Sequence, residues 1–390
     1  MKICLINNLY KPFARGGAER IVELTAAGLR EAGHDVFIIA TKPKKSFTTG
    51  KGNDSRIYFI NSLYYNLHKV PVFLRLFWHV LDAFDLAVVF NVKRIFKKEK
   101  PDLVITHNLK GLSFLLPRLF KKLKISHFHT LHDIQLIHPS GLMIYGEENK
   151  IDGIFSKIYT NICKFLFSSP RLIISPSSWL LEMHKERGFF DKSKSVVIPN
   201  PVLGSPSNGK CVKMVTDSFV FLYVGQIEQH KGIFLLVEAF KDIPDRKVVL
   251  RIAGSGSASS RLLEEIKRCG NIEYLGQKKA AEISVLMDVA DCLVVPSLCY
   301  ENSPTVIYEA SSRGLFVLAS AIGGGRELVG VLGGGLFLPE KRQLLEKLDY
   351  AIKNSETIKI SGEISKVKIK EYYLENYIRL LDRLIADIVR

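Results

Sequence analysis

Cysteine is scarce and unpaired in this chain. The six residues Cys4, Cys163, Cys211, Cys269, Cys292 and Cys299 form no Cys-x-x-Cys, which excludes a zinc knuckle or a dithiol redox motif and leaves reduced thiols, as expected in the cytosol. No apolar run reaches a bilayer span. The most apolar region, Val72 to Val92, contains Arg75, His79, Asp82 and Asp85, and ionisable groups at membrane depth are very costly, so it reads as a soluble or interfacial helix. The opening Met1-Lys2-Ile3-Cys4-Leu5-Ile6 lacks the apolar core and cleavage site of a signal peptide. It reads as a short strand, and secretion is not expected. Short-period repeats and low-complexity tracts are also missing. Acidic residues are in deficit, 39 against 55 Lys+Arg for a net charge of +16, and the deficit is lopsided. Residues 1–205 hold 16 acidic against 30 basic residues, whereas residues 206–390 hold 23 against 25. Such an excess attracts anionic lipid, polyanionic saccharide or nucleic acid without choosing among them. No basic recognition motif accompanies it, so a nucleic-acid partner is not expected.

Apolar residues make up 47% of the 390, enough for two cored domains. Apolar runs of strand length precede helix-like segments at Lys2 to Asn7, Val36 to Ala40, Leu103 to Thr106, Ser126 to Thr130 and Leu172 to Ser175. The alternation resumes with Phe219 to Val224, Val248 to Ala253, Ile272 to Tyr274, Leu293 to Pro296 and Phe316 to Ala319. This pattern predicts two α/β, Rossmann-like, doubly wound domains with parallel sheets. The Pro-, Gly-, Ser- and Asn-rich stretch from Pro199 to Gly209 marks the linker, near residues 199–213. Domains are therefore expected over 1–205 and 206–368. A last segment over 369–390 has Tyr373, Tyr377, Leu380, Leu381, Leu384 and Ile388 at helical spacing, an apolar face in need of a partner.

Between Glu301 and Glu309, two carboxylates bracket a Ser303-Pro304-Thr305 helix start directly after an apolar strand. Ser303 is expected as N-cap and Pro304 as the first helical residue, which would aim unpaired amides and the positive end of the helix dipole at a ligand. Phosphate suits such a place. Glu309 falls in the second helical turn and Glu301 on the preceding loop, so both carboxylates can accept hydrogen bonds from sugar hydroxyls beside the phosphate. A nucleotide sugar offers both kinds of group; an ordinary capped helix with two solvated glutamates is the plain alternative.

Four further stretches follow strands. Gly16-Gly17 opens a helix after the first strand, where paired glycines let a backbone approach a ligand. The stretch Thr130-Leu131-His132-Asp133 supplies a His-Asp pair that reads as general base, polar cap or neither. Gly225-Gln226-Ile227-Glu228-Gln229-His230-Lys231-Gly232 and Ala253-Gly254-Ser255-Gly256 end two strands of the second half.

Together with Tyr274-Leu275-Gly276-Gln277 and Ile322-Gly323-Gly324-Gly325-Arg326-Glu327-Leu328, these stretches resemble, in order and spacing, the family 4 retaining glycosyltransferases of the bacterial surface-polysaccharide type. The resemblance implies the GT-B fold, two Rossmann-like domains facing a cleft with a C-terminal helix crossing back to the first. It implies a nucleotide-diphosphate-sugar donor and a saccharide or lipid-linked saccharide acceptor. Gly16 and Gly17 match the glycine loop that faces the donor diphosphate, and Lys231 matches the lysine that clamps it. Gln226 stands where arginine is usual; a glutamine can still donate to a phosphate oxygen, and Arg15 or Arg326 is available for the missing charge. Gly254 is implied to approach the nucleotide. Glu309 is implied to hold the ribose and Glu301 a sugar hydroxyl, with Ser303, Pro304 and Thr305 lining the donor. His132 matches the active-site histidine on the acceptor side, and Asp133 is expected to orient loop or acceptor. His132, Glu301 and Lys231 are thus the expected catalytic group. Retention would come without a protein nucleophile, a diphosphate oxygen taking the acceptor proton.

No Asp-x-Asp is present, unlike in metal-dependent single-domain glycosyltransferases, so neither metal nor cofactor is expected. Two other readings remain, a nucleotide-sugar epimerase on the same fold and a non-catalytic nucleotide-sugar-binding member, the latter motivated by Gln226. A cytoplasmic protein is expected. Lys110 to Lys124 and Ile154 to Phe167 mix basic and aromatic residues, which suits either packing on the sheet or an anionic membrane surface at the inner face of the cell membrane.

Overall fold

The computed structural model describes residues 1–14, 16–43, 56–62, 64–65, 71–167, 170–204, 218–245 and 247–389. The chain forms two compact units. In the first, β1 (Lys2–Ile6), α1 (Gly17–Glu31), β2 (Asp35–Pro43), β3 (Ile57–Ser62), α2 (Val72–Ala83), α3 (Leu86–Glu99), β4 (Leu103–Thr106), α4 (Leu116–Lys122) and β5 (Ser126–Thr130) are followed by α5 (Ile154–Leu166), β6 (Leu172–Ser175), α6 (Ser178–Lys185) and β7 (Lys194–Val197). The seven strands are parallel in the order β3-β2-β1-β4-β5-β6-β7. Strand order reverses between β1 and β4, the point where a doubly wound sheet opens a crevice at its carboxyl ends.

The second unit runs β8 (Phe219–Val224), α7 (Ile233–Phe240), β9 (Val248–Ala253), α8 (Ser259–Ile266), β10 (Ile272–Gly276), α9 (Ala280–Val289), β11 (Cys292–Val295), α10 (Thr305–Ser312), β12 (Phe316–Ser320), α11 (Gly323–Leu332), β13 (Gly335–Phe337), α12 (Lys341–Lys353) and α13 (Ser355–Lys368). Its parallel sheet has the order β10-β9-β8-β11-β12-β13, so the switch point lies between β8 and β11. Successive side chains point to opposite faces of a strand. Phe221, Leu250, Ile252, Val294 and Leu318 accordingly pack one core with α7 and α12, while Val220, Leu222, Leu293, Val295 and Val317 pack another with α10 and α11.

α14 (Leu374–Val389) returns the chain to the first unit. Its inner face is Tyr377, Ile378, Leu381 and Ile385. Ile378 lies against Gly28 of α1, where a Cβ would sit 2.4 Å from its Cγ1, and Asp382 meets His34 at 2.9 Å. The expected helical face is thus corrected by one position: Leu380 is exposed. Tyr373 stays with the second unit through its bridge to Val202.

Boundaries differ from the sequence reading in two ways. The division falls at Pro201/Val202 and Tyr373/Leu374, and Met143–Glu148, expected within the first domain, belongs to the second unit. Ser205 and the following linker residues to 217 lie outside the described residues. Three strands also had no expectation: β3, β7 and β13 are partly exposed, so they lack the continuous apolar runs of strands buried on both faces.

Candidate active site

At the β8/β11 switch point of the second unit, three loops converge on one ion pair. The chain leaves β8, makes a 3-10 turn over Gln229–Lys231, and reaches Gly232 at φ 71°. A Cβ on Gly232 would lie 1.7 Å from the Pro296 carbonyl oxygen, so no other residue lets this turn rest on the exit of β11. The Leu298 and Cys299 amides both donate to the His230 carbonyl at 3.0 Å, tying the two loops together. Lys231 Nζ then stands 3.0 Å from Glu301 Oε2, with both side chains only about a fifth exposed, 23% and 19%. Ser297 donates its hydroxyl to the other oxygen, Glu301 Oε1. Burial pulls the Lys231 ammonium down, Glu301 and Cys299 together offset this, and its pKa ends above the ordinary value.

The third loop follows β12. Gly323 has φ 62°, and a Cβ there would approach the Glu301 carbonyl to 2.5 Å. The Gly324 and Gly325 amides donate to that same carbonyl at 2.9 and 3.3 Å. Glu301 is therefore fixed through its backbone by α11 and through its carboxylate by Lys231 and Ser297. Arg326 is exposed on the first turn of α11. Arg15 is outside the described residues.

The start of α10 corrects the sequence reading. The helix begins at Thr305 with Pro304, extended at ψ 116°, as N-cap. Ser303 does not cap it; its hydroxyl shares a 2.6 Å hydrogen bond with that of Tyr308. Glu309 is in the second turn as expected and is exposed, whereas Glu301 is half-buried. The two carboxylates thus differ in burial: Glu301 is half-buried in an ion pair and Glu309 is exposed.

Gly254 ends β9 at φ 152°, with Gly225 O only 1.8 Å from where a Cβ would be. Tyr274 donates its hydroxyl to the Gly254 carbonyl at 3.0 Å, and Ser255 reaches Gln277 at 3.3 Å. The glycine turn and the end of β10 are therefore adjacent. Gln226 is exposed, and its carbonyl accepts from the Tyr223 hydroxyl at 2.7 Å.

In the first unit, His132 follows β5 and meets His107, which follows β4. His107 Nδ1 is 2.8 Å from His132 Nε2. Burial holds the His132 imidazole down to about 4 and, with His132 beside it, pushes His107 well below its ordinary value. Both rings are neutral at pH 7, so one donates and the other accepts. His107 Nε2 is buried without a hydrogen-bond partner. A bare lone pair there is tolerated better than an orphaned N–H, which assigns the proton to His107 Nδ1 and makes His132 Nε2 the acceptor. Behind them Thr106 Oγ1 is 2.7 Å from His127 Nε2 and 2.8 Å from His129 Nδ1. Asp133 accepts from the Gln135 amide at 2.7 Å and from its side chain at 3.0 Å, and burial pushes its carboxyl up to about 6. His107, His129, His132, Asp133 and Gln135 edge a small pocket with room for about one water.

Gly16 is the N-cap of α1 at φ −153°, an extended conformation open to any residue. Its amide donates to Glu19 Oε2 at 2.7 Å, so that amide serves the helix start. Gly17 is the first helical residue.

Sequence reasoning missed three participants. Ser297 and His107 sit just past strand ends and carried a positional signal only. The third, Met143–Glu148, had none: Ile144 pairs antiparallel with Cys299, Tyr145 N donates to Leu298 O at 2.8 Å, Tyr300 N donates to Met143 O at 2.9 Å, and the Tyr300 hydroxyl donates to Glu148 at 2.7 Å. This strap braces the loop that carries Glu301.

Two family descriptions match the chain, Glycosyltransferase Family 4 over residues 15–202 and Glycosyl transferases group 1 over residues 212–372. An uncharacterized 42.6 kDa protein in the cps region of Klebsiella pneumoniae is 26% identical over 385 residues, 97% of this chain and 99% of that one. The lipopolysaccharide 1,2-N-acetylglucosaminetransferase of Salmonella typhimurium is 26% identical over 226 residues, 52% of this chain and 59% of its own. HepE from Anabaena, solved in complex with UDP, superposes with a TM-score of 0.75 at 18% identity, over 99% of this chain and 100% of that one.

Proposed function

The chain belongs to the family 4 glycosyltransferases, and from that premise we propose that it moves a glycosyl group, with retention, from a nucleotide-diphosphate sugar to a saccharide acceptor in bacterial polysaccharide synthesis. The observation that carries the proposal is the Lys231–Glu301 pair at the β8/β11 switch point, with the first turn of α10 following directly in the chain. Lys231 supplies a cation for the leaving diphosphate, and the start of α10 supplies the positive end of its dipole. Glu301, once Lys231 turns to the phosphates, is free to accept from a sugar hydroxyl, and exposed Glu309 is placed to accept from the ribose. Arg326 is the candidate for the charge that Gln226 does not provide. Transfer on this reading asks for no metal ion: a diphosphate oxygen accepts the acceptor's proton as the new glycosidic bond forms on the face the diphosphate leaves.

On the first unit, His132 is neutral and its Nε2 is held by His107, which suits it to orient a sugar rather than to carry charge. The relatives from a cps region and from lipopolysaccharide synthesis support a surface-polysaccharide acceptor, and a lipid-linked one is the specific form we propose, met at the inner face of the cell membrane.

The test is thermal unfolding with UDP-, GDP- and dTDP-sugars in the presence of EDTA, for the wild type and Glu309→Ala, followed by NMR of the product's anomeric proton. Selective stabilisation by one donor, lost in the variant, with a retained anomer, is expected. A donor that is consumed without acceptor would instead mark an epimerase. A donor that binds but never transfers would mark the binding subunit that Gln226 favours.

A further inference from the structure

Central strands of a parallel sheet are covered on both faces and normally read as apolar throughout. β5 departs from this: it reads Ser126-His127-Phe128-His129-Thr130 and is buried along its whole length. Side chains two apart share a face of a strand. Phe128 therefore enters the core with Ile105 and Ile174, while His127 and His129 lie together on the other face, their rings 5.0 Å from those of Phe120 and Phe167 respectively. Thr106 of β4 stands opposite His129 in the register. Its hydroxyl touches both imidazoles, His127 Nε2 at 2.7 Å and His129 Nδ1 at 2.8 Å. One residue further on, His107 meets His132.

Burial holds all four rings neutral: His127 is down at about 3 and His132 at about 4, with His107 and His129 well below their ordinary value. A neutral imidazole has one N–H and one bare nitrogen, so the hydrogen bonds decide where each proton sits. With its proton on Nδ1, His107 donates to His132 Nε2 and keeps a bare, buried Nε2 that no protein group reaches. His129 is engaged through Nδ1, and among the described residues its Nε2 has no hydrogen bond either. Both rings line the same pocket, which has room for about one water, and Asp133 and Gln135 add to its polar wall. Leaving a buried polar atom without a hydrogen bond costs more than a made bond contributes. Two such nitrogens on one water-sized pocket, one to accept and one to donate, call for a single bridging molecule. Among the described residues no group of three His, Cys, Asp or Glu side chains is placed to hold a metal ion, so the pocket suits water.

We propose that one buried water joins His129 Nε2 to His107 Nε2 and so completes a one-way hydrogen-bond chain that positions His132. The chain runs from His127 Nε2–H to the Thr106 oxygen, from the Thr106 hydroxyl to His129 Nδ1, from His129 Nε2–H to the water, from the water to His107 Nε2, and from His107 Nδ1–H to His132 Nε2. The other acceptor open to Thr106, the Phe128 carbonyl, is more distant at 3.4 Å. Each donor has one acceptor, and the direction leaves one tautomer for each ring. His132 then carries its proton on Nδ1. Linked hydrogen bonds polarise one another, so His107 holds His132 more firmly within the chain than an isolated imidazole would. His107 is thereby a positioning residue that fixes the tautomer and the orientation of the His132 ring. Its effect on transfer, though not the chain itself, rests on the proposed role of His132 in orienting a sugar.

Two measurements on the wild-type full chain require no turnover. Crystallography at a resolution that shows ordered solvent is expected to place a water within hydrogen-bond distance of both Nε2 atoms. Long-range proton–nitrogen correlation NMR of isotope-labelled histidines at neutral pH should find His127 and His129 protonated on Nε2, and His107 and His132 on Nδ1. His107→Asn, whose amide can stand in for Nδ1–H, should keep the His132 tautomer. His107→Leu should leave His132 in a mixture of tautomers and lower kcat roughly tenfold, the worth of about one hydrogen bond, with the affinity for a nucleoside diphosphate unchanged. A dry pocket, a His107 protonated on Nε2, or a His132 tautomer as disturbed in His107→Asn as in His107→Leu overturns the proposal. Because the water and the tautomers are read on the wild type, neither an unfolded variant nor a failure of the transfer assay leaves the chain undecided.

Discussion

Replacing Glu301 with glutamine should tighten the binding of a bare nucleoside diphosphate while lowering transfer. In the unliganded enzyme Lys231 is already engaged with Glu301 at 3.0 Å, so a diphosphate has to take the ammonium from a carboxylate. At that separation the pair's Coulomb energy is about 5–6 kcal/mol at an effective dielectric near 20, before desolvation is subtracted. The net worth of a charge-assisted hydrogen bond is about 1.5–3 kcal/mol. Glutamine keeps the shape and the Ser297 partner, removes the competing charge, and removes a repulsion from the incoming diphosphate. Part of the net energy reappears as affinity, so the dissociation constant should fall by roughly tenfold, about 1.4 kcal/mol. Transfer should drop by roughly a hundredfold, because a neutral amide holds a sugar hydroxyl less strongly as charge develops. The unliganded protein should lose about 1–3 kcal/mol of stability, its half-buried ammonium having lost its anion. Isothermal titration with the nucleoside diphosphate of the preferred donor, beside Lys231→Ala, decides the matter. Lys231→Ala should weaken the diphosphate strongly. If Glu301→Gln weakens it to the same degree, the two residues act as one binding unit and the competition argument is wrong.

Gly254→Ala should abolish donor binding and lower the unfolding temperature, because its Cβ would stand 1.8 Å from the Gly225 carbonyl oxygen; wild-type affinity would show that the turn relaxes freely. Arg326→Ala should weaken the diphosphate roughly tenfold if this residue supplies the charge missing at Gln226, and Gln226→Arg should restore it; titration of the single and double variants reads both. With burial pushing Asp133 up to about 6, an acid-side inflection near pH 6 in kcat/KM is expected to vanish in Asp133→Asn, whereas His132, held to about 4, should contribute none near 6.5. Ile378→Ala should destabilise the first unit by about 2–4 kcal/mol, since its side chain fills the space that Gly28 leaves open; chemical denaturation measures this.

The alternation of strands and helices was legible because the central strands are buried on both faces and therefore read as unbroken apolar runs. Lys2–Ile6, Leu103–Thr106 and Cys292–Val295 announce themselves in this way. The edge strands do not: Lys194–Val197 is exposed at both ends and only partly buried between, and Gly335–Phe337 is three residues long with Phe337 alone buried, so nothing local distinguishes them from loops. The start of α10 shows a subtler limit. Ser303-Pro304 carries the chemistry of an N-cap and a first helical residue, yet the helix begins one residue later because the Ser303 hydroxyl is taken by Tyr308. A local rule lost to a contact five residues away.

The site itself was legible as a set of strand ends but not as an interaction. That Lys231 and Glu301, seventy positions apart, form an ion pair follows from β8 and β11 being neighbours, and from glycines at 232 and 323 whose missing Cβ atoms let backbones touch. Sequence shows the glycines; only the sheet order says which carbonyls they touch. The strap at Met143–Glu148 carries the point further. It has no strand-like run and no motif, yet it adds an antiparallel bridge beside Cys299 and a hydrogen bond to Tyr300, the residue before Glu301. Its chain neighbour Leu142 belongs to the unit that carries His132 and Asp133. Only ten positions therefore separate His132 from the segment that braces the Glu301 loop.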